Sequence, residues 1–315
     1  MDDSYLLISP CRNEADFMVD TLESVVNQSV LPAKWIIVDD GSTDATPEIL
    51  QKYSDQYDFI HIVTRENRGH RSVGPGVIEA FYAGLDIVDL NIYQFVCKLD
   101  LDLELPVGYF QLLMQRMNEN PRIGTCSGKP YNRCDDRLVS EKRGDEMSVG
   151  MTKFYRVNCF QQIGGFVSEV MWDAIDCHRC RQLGWIACSW DDPDLRFVHL
   201  RIMGSSQDSV YQGRMRHGFG QYFMGTSLMY MFATSVYRML HPPYIFGGMA
   251  MFWGYLKSLV KRAPRYRDEN LQKFIRRYQW RCLLLGKSQA TKLLDEQQAT
   301  VWTQQSQHKH DYKTS

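Results

Sequence analysis

The sequence predicts an α/β fold, a mostly parallel sheet with helices on both faces, followed by a helical C-terminal extension. Three observations carry this. Short apolar runs alternate with helix-period patterns from Tyr5 to Leu99. The helices between the runs have crossover length, which implies parallel strands covered on both sides. Polar clusters follow the apolar runs, at the carboxyl ends of strands where such sheets bind ligands.

Tyr5 to Ser9 is a buried strand closed by Pro10, and Glu14 to Asn27 places Phe17, Met18, Leu22, Val25 and Val26 at helical spacing. Trp35 to Val38 forms the second strand. Asp44 or Thr43 is placed to cap a helix running through Leu50 and Tyr53. Phe59 to Val63 is the third strand, Val77 to Val88 a helix, and Tyr93 to Leu99 the fourth strand. The clusters at their ends are Cys11 to Glu14, Asp39-Asp40, Arg65 to Arg71, and Asp100 with Asp102.

At 315 residues the chain has room for one large or two modest domains, and its 44% hydrophobic and 23% charged content is that of a folded protein. A net charge of −1 implies no nucleic-acid partner. Nine cysteines without regular spacing suit a reducing compartment better than a disulfide framework. The acidic start, Met1-Asp-Asp-Ser, lacks the basic and long apolar regions of a signal peptide. These features predict a cytoplasmic protein, in which the sequon at Asn27 is only a helix end.

Asp100 and Asp102 sit two apart at a strand's end, so both side chains face one way. Paired carboxylates there suit a hard divalent cation bound through a diphosphate. Alone, the pair reads as solvated acids on an edge strand; four polar loops on one rim change that reading.

The set Ser9-Pro-Cys-Arg-Asn-Glu14, Val38-Asp-Asp-Gly-Ser-Thr-Asp-Ala-Thr46 and Lys98-Leu-Asp-Leu-Asp102 resembles the family-2 glycosyltransferases, inverting enzymes with the GT-A nucleotide-sugar fold. The resemblance covers roughly residues 5 to 205. It implies that Pro10, Arg12, Glu14 and Asp40 hold the nucleoside of a UDP- or GDP-sugar. Asp100 and Asp102 would hold ribose and a diphosphate bridged by Mg²⁺ or Mn²⁺, while Asp39 serves as a structural cap. Arg71 is a candidate diphosphate or base contact, since guanidinium suits bidentate phosphate binding. The segment Arg68-Gly-His-Arg-Ser-Val-Gly-Pro-Gly76 departs from the Arg-Asn pair of many relatives.

A second constellation runs from Phe154 to Gly184. A Gly164-Gly165 pair permits tight backbone approach beneath an acceptor pocket. Aligned with the family, Asp173 stands where its general base opens a helix, with Trp172 in place of the usual Glu. Asp173 as a helix cap and Asp176 as the base are the alternatives. Cys177-His-Arg-Cys180 has no second pair to complete a four-ligand zinc site, so these cysteines read as buried helix residues. Gly286-Lys-Ser288 is no phosphate loop, because Arg281 stands at its first Gly. His199, after a short strand, is either a metal or diphosphate contact, as in some GT-A enzymes, or a structural residue.

From Gly218 to Tyr237 twenty residues carry no charge, and a second uncharged run covers Pro242 to Leu256. Lys257 to Arg281 holds nine Lys/Arg against Asp268 and Glu269. Basic clusters beside aromatic helices favour an anionic membrane surface, the alternative being core helices with a solvated basic face. The segment from Gly213 to Thr226 resembles extensions of bacterial surface and exopolysaccharide glycosyltransferases, and no Gln-x-x-Arg-Trp motif of processive synthases is present.

The domain expectation is a GT-A catalytic domain over 1–205, with nucleotide-sugar binding in 1–105 and acceptor binding in 106–205. A basic, membrane-associating helical extension would follow over 206–286, with a polar helix and tail over 287–315. The functional expectation is single-sugar transfer to a glycan or polyprenyl-diphosphate-linked acceptor on the inner face of the cell membrane. A catalytically silent glycan- or nucleotide-binding scaffold is the second reading. A sugar nucleotidyltransferase would want a Gly-rich loop after the first strand, where this chain has Pro10-Cys-Arg-Asn-Glu14.

Overall fold

The computed structural model describes residues 4–69, 74–135, 137–201, 210–241 and 243–303. It forms two compact units, one from residues 1–168 with 185–201, the other from 169–184 with 202–315.

In the first unit the strands and helices follow the expected order: β1 (Tyr5–Cys11), α1 (Met18–Val26), β2 (Lys34–Asp39), α2 (Thr46–Gln56), β3 (Ile60–Thr64), α3 (Pro75–Leu85) and β4 (Phe95–Leu99). Tyr5 to Ile8 and Trp35 to Val38 are wholly buried, as unbroken apolar strands covered on both faces must be. Helix α1 starts at Met18 rather than Glu14. The amides of Phe17 and Met18 both bond to the Glu14 carbonyl, making a turn that leaves Glu14 at the rim. Helix α3 ends at Leu85 rather than Val88.

Beyond β4 come β5 (Leu103–Glu104), α4 (Tyr109–Glu119), β6 (Ile123–Ser127), β7 (Lys129–Cys134), β8 (Arg137–Ser140), β9 (Thr152–Arg156), α5 (Val157–Gln162), β10 (Ile186–Ser189) and β11 (Arg196–His199). Seven described strands form one sheet in the order β10-β6-β9-β4-β1-β2-β3. All its pairings are parallel except those of β9 with β4 and β6. The core packs Leu7, Ile37, Cys97 and Leu99 against aromatic side chains such as Tyr109, Phe110 and Phe154. A smaller sheet runs β5-β11-β7-β8. Its antiparallel pairing of Leu103 with His199 brings the end of β11 beside the acidic segment that follows β4.

The second unit is helical: α6 (Trp172–Gln182), α7 (Val210–Met224), α8 (Leu228–Met239), α9 (Tyr244–Val260), α10 (Glu269–Leu285) and α11 (Lys287–Gln297). Helices α7 and α9 cross closely, since a Cβ on Gly218 would lie 2.0 Å from the Met251 carbonyl and one on Gly254 2.1 Å from that of Met215. The uncharged run from Gly218 to Tyr237 is two helices, broken at Gly225-Thr226-Ser227. Gly225 has φ +92°, and Ser227 caps α8 by accepting from the Tyr230 amide. Gln279 and Tyr255 donate to Thr226, and Arg276 donates to the Gly225 carbonyl, so this break is a hydrogen-bonded hub. Helix α6 is pinned to its neighbours by the Arg181–Asp295 ion pair at 3.0 Å and the His178–Tyr278 ring contact.

Candidate active site

The rim at the carboxyl ends of β1, β2 and β4 is assembled by loop-to-loop hydrogen bonds. Asp39 accepts from the Ser42 amide at 2.9 Å, which gives it the structural role expected. The Ser42 hydroxyl in turn accepts from the Asn13 amide, and Asn13 accepts from the Thr43 amide. Asp44 accepts from the amides of Thr46 and Ala15, fixing the start of α2 and tying it to the first loop. Burial opposes ionisation of Asp44, but these bonds outweigh it and hold its carboxyl below the ordinary range.

Within this frame Asp40 is 6% exposed and pairs with two guanidiniums, Arg65 at 2.8 Å and Arg68. Arg12 donates to the Asp40 carbonyl and to Asn67. Two arginines thus pair with one carboxylate and a third with the same residue's backbone. With Arg68 also bound to Glu79 at 3.0 Å, the group carries three positive charges against two negative, a local excess suited to an anionic ligand. Pro10 lies on β1, paired in register with Val38. Arg71 falls outside the described residues.

The second cluster surrounds Asp100 and Asp102. Lys98, almost wholly buried, binds Asp100 and donates to the Gly150 carbonyl at 3.0 Å. Asp102 follows a different path. The Leu200 amide donates to its backbone carbonyl at 2.9 Å, and His199 Nε2 and Arg201 Nε each lie 3.6 Å from its Oδ2. His199 Nδ1 is 2.7 Å from Glu141, whose side chain is 2% exposed. Arg201 also binds Glu14 and stacks on Phe17. The structure therefore joins Glu14 to Asp102 through Arg201, Asp102 to Glu141 through His199, and Asp100 to Lys98.

Burial resists charge on Asp102, yet the His199 hydrogen bond and the charges of His199, Arg201 and Lys98 prevail and lower its pKa. Burial likewise opposes protonation of His199, but its bonds to Asp102 and Glu141 push it up to about 9. Asp102 Oδ1 is buried without a hydrogen-bond partner among the described residues. Such an oxygen costs stability unless a ligand completes it. No cluster of three or more His, Cys, Asp or Glu among the described residues forms a ready metal cage. A cation bridging a diphosphate needs only one or two protein carboxylates, and Asp102 with Asp100 fits that demand.

Lys98, Glu141 and Arg201 were not singled out from the sequence. Arg201 had a weak signal, since it stands two residues after His199, just beyond the end of β11. Glu141 had none.

The family model for glycosyl transferase family 2 matches residues 7–171, more than half of the chain. The chain belongs to glycosyl transferase family 2. Its family-2 segment is 29% identical over 132 residues to poly-beta-1,6-N-acetyl-D-glucosamine synthase of Staphylococcus aureus strain MSSA476, covering 42% of this chain and 29% of the synthase. The Staphylococcus epidermidis synthase is 29% identical over 139 residues, covering 44% and 31%. The chain thus aligns with less than a third of the length of these curated relatives.

Among solved structures, S. aureus TarS 1-349 in complex with UDP-GlcNAc matches with a TM-score of 0.50 at 14% identity, covering 97% of this chain and 92% of that one. GalNAc-T7 with UDP, GalNAc and Mn²⁺ matches with a TM-score of 0.56 at 15% identity, covering 86% and 54%. The fold is GT-A.

In the second unit Asp173 is the second residue of α6, half-buried, with Met171 before it in the left-handed region at φ +66°. Asp176 is 1% exposed and accepts from the Cys177 amide. Cys177 and Cys180 are buried on α6. Gly165 takes φ +72°, and a Cβ there would lie 2.3 Å from the Tyr82 hydroxyl, which accepts from the Phe166 amide. The expected tight approach is against this tyrosine.

Proposed function

We propose that this enzyme transfers one sugar, with inversion, from a UDP- or GDP-sugar to a glycan in polysaccharide biosynthesis. The acceptor is a free or polyprenyl-diphosphate-linked glycan at the cytoplasmic face of an anionic membrane. The observation that carries the reading is Asp102, a half-buried carboxylate with one buried oxygen that has no hydrogen-bond partner among the described residues, at the ligand-binding end of a parallel sheet. Its relatives named as synthases of a poly-N-acetylglucosamine support the polysaccharide assignment.

In this reading Pro10, Arg12, Glu14 and Asp40 hold the nucleoside, with Arg71 as a further donor contact. Asp100 and Asp102 would hold Mg²⁺ or Mn²⁺, and His199 would join them only on giving up the proton that Asp102 and Glu141 favour, since a ligating imidazole is neutral. When bound, that cation would offset charge on the departing diphosphate. The chain's own groups do the rest. Arg12, Arg65 and Arg68 attract and orient the anionic donor. Arg201 keeps Glu14 and Asp102 in place. Asp173 takes the proton from the acceptor hydroxyl, a role its half-exposed position in the first turn of α6 supports over buried Asp176. The domain reading places catalysis in 1–205, membrane association in 206–286 and a polar helix and tail in 287–315.

The test is binding of UDP and GDP, with and without Mn²⁺, followed by transfer assays with UDP-N-acetylglucosamine first. Nucleotide binding that ignores both the metal and loss of Asp102 would sink the donor-site assignment. Metal-dependent donor binding with no transfer or donor hydrolysis would favour the silent scaffold.

A further inference from the structure

Helices α8 and α9 present a broad apolar face that the described residues of their own unit leave uncovered. Phe232 is 53% exposed, Leu240 73%, Ile245 58%, Phe246 67% and Trp253 59%. Solitary exposed apolar residues are ordinary, but a contiguous aromatic patch of this kind marks an interaction surface. The same face opens into a cavity of about 480 Å³ with almost wholly apolar walls, including Met239, Met249, Phe252 and Leu256.

Charge decides what fits there. From Val210 to Arg267 the chain holds eight Lys or Arg and no Asp or Glu. Lys257, Lys261 and Arg262 are exposed at the end of α9 and just beyond it. A second copy of this chain would bring one basic rim against another. A bilayer with anionic headgroups instead offers hydrocarbon to the apolar face and negative charge to its rim.

Length decides how it fits. The 17 residues of α9 extend about 25 Å, short of the roughly 30 Å hydrocarbon core. No helix among the described residues is long and apolar enough to cross a membrane.

We infer that the α8–α9 face docks on an anionic lipid bilayer, lying in its interface, with the adjoining cavity receiving an acyl chain of that membrane. The inference deepens and rests on the membrane placement proposed above, but not on the transfer chemistry. It moves the main anchor from the basic stretch to the apolar face, with the lysines and arginines as its electrostatic rim.

The experiment is flotation of the full chain with vesicles of phosphatidylglycerol and phosphatidylcholine. The variant carries Ile245→Ser, Phe246→Ser and Trp253→Ser, all exposed positions, and its fold is checked by circular dichroism. Wild type should float and the variant should bind at least roughly tenfold more weakly, because apolar burial supplies much of interfacial affinity. Equal flotation of both would overturn the apolar anchor while leaving membrane placement intact. A wild type that stays in the soluble fraction would overturn both, with donor binding unaffected. A wild-type dimer that the three substitutions dissociate, without flotation, would assign the face to a second copy. Should the variant not fold, amide exchange of the wild type decides: slowing over residues 228–260 with these vesicles supports the inference, and unchanged exchange overturns it.

Discussion

At the residue scale, each of the two neighbouring acids has a different setting. Asp100 is held by a buried lysine, whereas Asp102 keeps one oxygen unpartnered and is braced by His199 and Arg201. Asp102→Ala should therefore abolish Mn²⁺-dependent UDP affinity in calorimetry while leaving the fold intact by circular dichroism, with a lower thermal midpoint because His199 and Arg201 lose a carboxylate partner. Affinity that survives with its metal dependence would count against Asp102. Asp173→Asn should keep donor affinity and lower the transfer rate by roughly a hundredfold or more, the scale of a missing general base. Normal turnover in that variant, with loss in Asp176→Asn, would shift the base by one helical turn. Of this site, the acids and His199 were legible because strand-end spacing puts them on a known rim. Glu141 was not, because its link to His199 spans 58 residues and depends on how the loop after β8 returns. Arg71 remains a proposal resting on its sequence context.

At the element scale, the first four strands and the helices between them were legible because those strands are unbroken apolar runs, whereas the order of strands in the sheet and the antiparallel β9 were not read from the sequence. The ends were less so. A helix-period pattern from Glu14 to Asn27 continues through a turn, and only the double bond to the Glu14 carbonyl marks where α1 begins. In the same way the uncharged stretch after Gly218 hides its break, since glycine, threonine and serine look like dilution of a helix until their hydrogen-bond partners on α9 and α10 are seen. Asp44 offers a test of how the first loops are held. Asp44→Ala should destabilise the first unit by about 1 kcal/mol, the typical cost of losing such an acceptor at a helix start. Because the folded pKa is lowered, the wild-type advantage is present above the ordinary carboxyl pKa of 3.8 and fades as pH falls through the folded value. Denaturant melts of both proteins at neutral and acidic pH check the amount and the sign. Gly254→Ala addresses the α7–α9 crossing. A Cβ 2.1 Å from a backbone oxygen forces the helices apart and should cost about 1–3 kcal/mol, read as a lower thermal midpoint.

At the scale of the whole molecule, the basic stretch has two jobs that the sequence alone does not separate. Arg265 lies 4.3 Å from the centre of the Tyr222 ring, and Arg276 donates to the Gly225 carbonyl, so both support the helical unit. Lys257, Lys261, Arg262 and Arg267 are exposed and free to meet a charged surface. Reversing these four to Glu, with Arg265 left intact, should preserve the fold and release the protein from phosphatidylglycerol vesicles. Each basic group near an anionic surface contributes about 1 kcal/mol, and reversal adds repulsion to that loss. Raising salt should weaken wild-type binding in the same direction, since exposed charges are screened over about 10 Å at 0.1 M. A neutral-lipid control separates the two contributions: the charge-reversed protein should match wild type on phosphatidylcholine, where only apolar burial acts. Donor binding should not change, because Asp40, Asp100 and Asp102 belong to the sheet unit. Equal flotation of wild type and charge-reversed protein on both lipids would remove the rim from the account and leave the α8–α9 face to carry attachment alone.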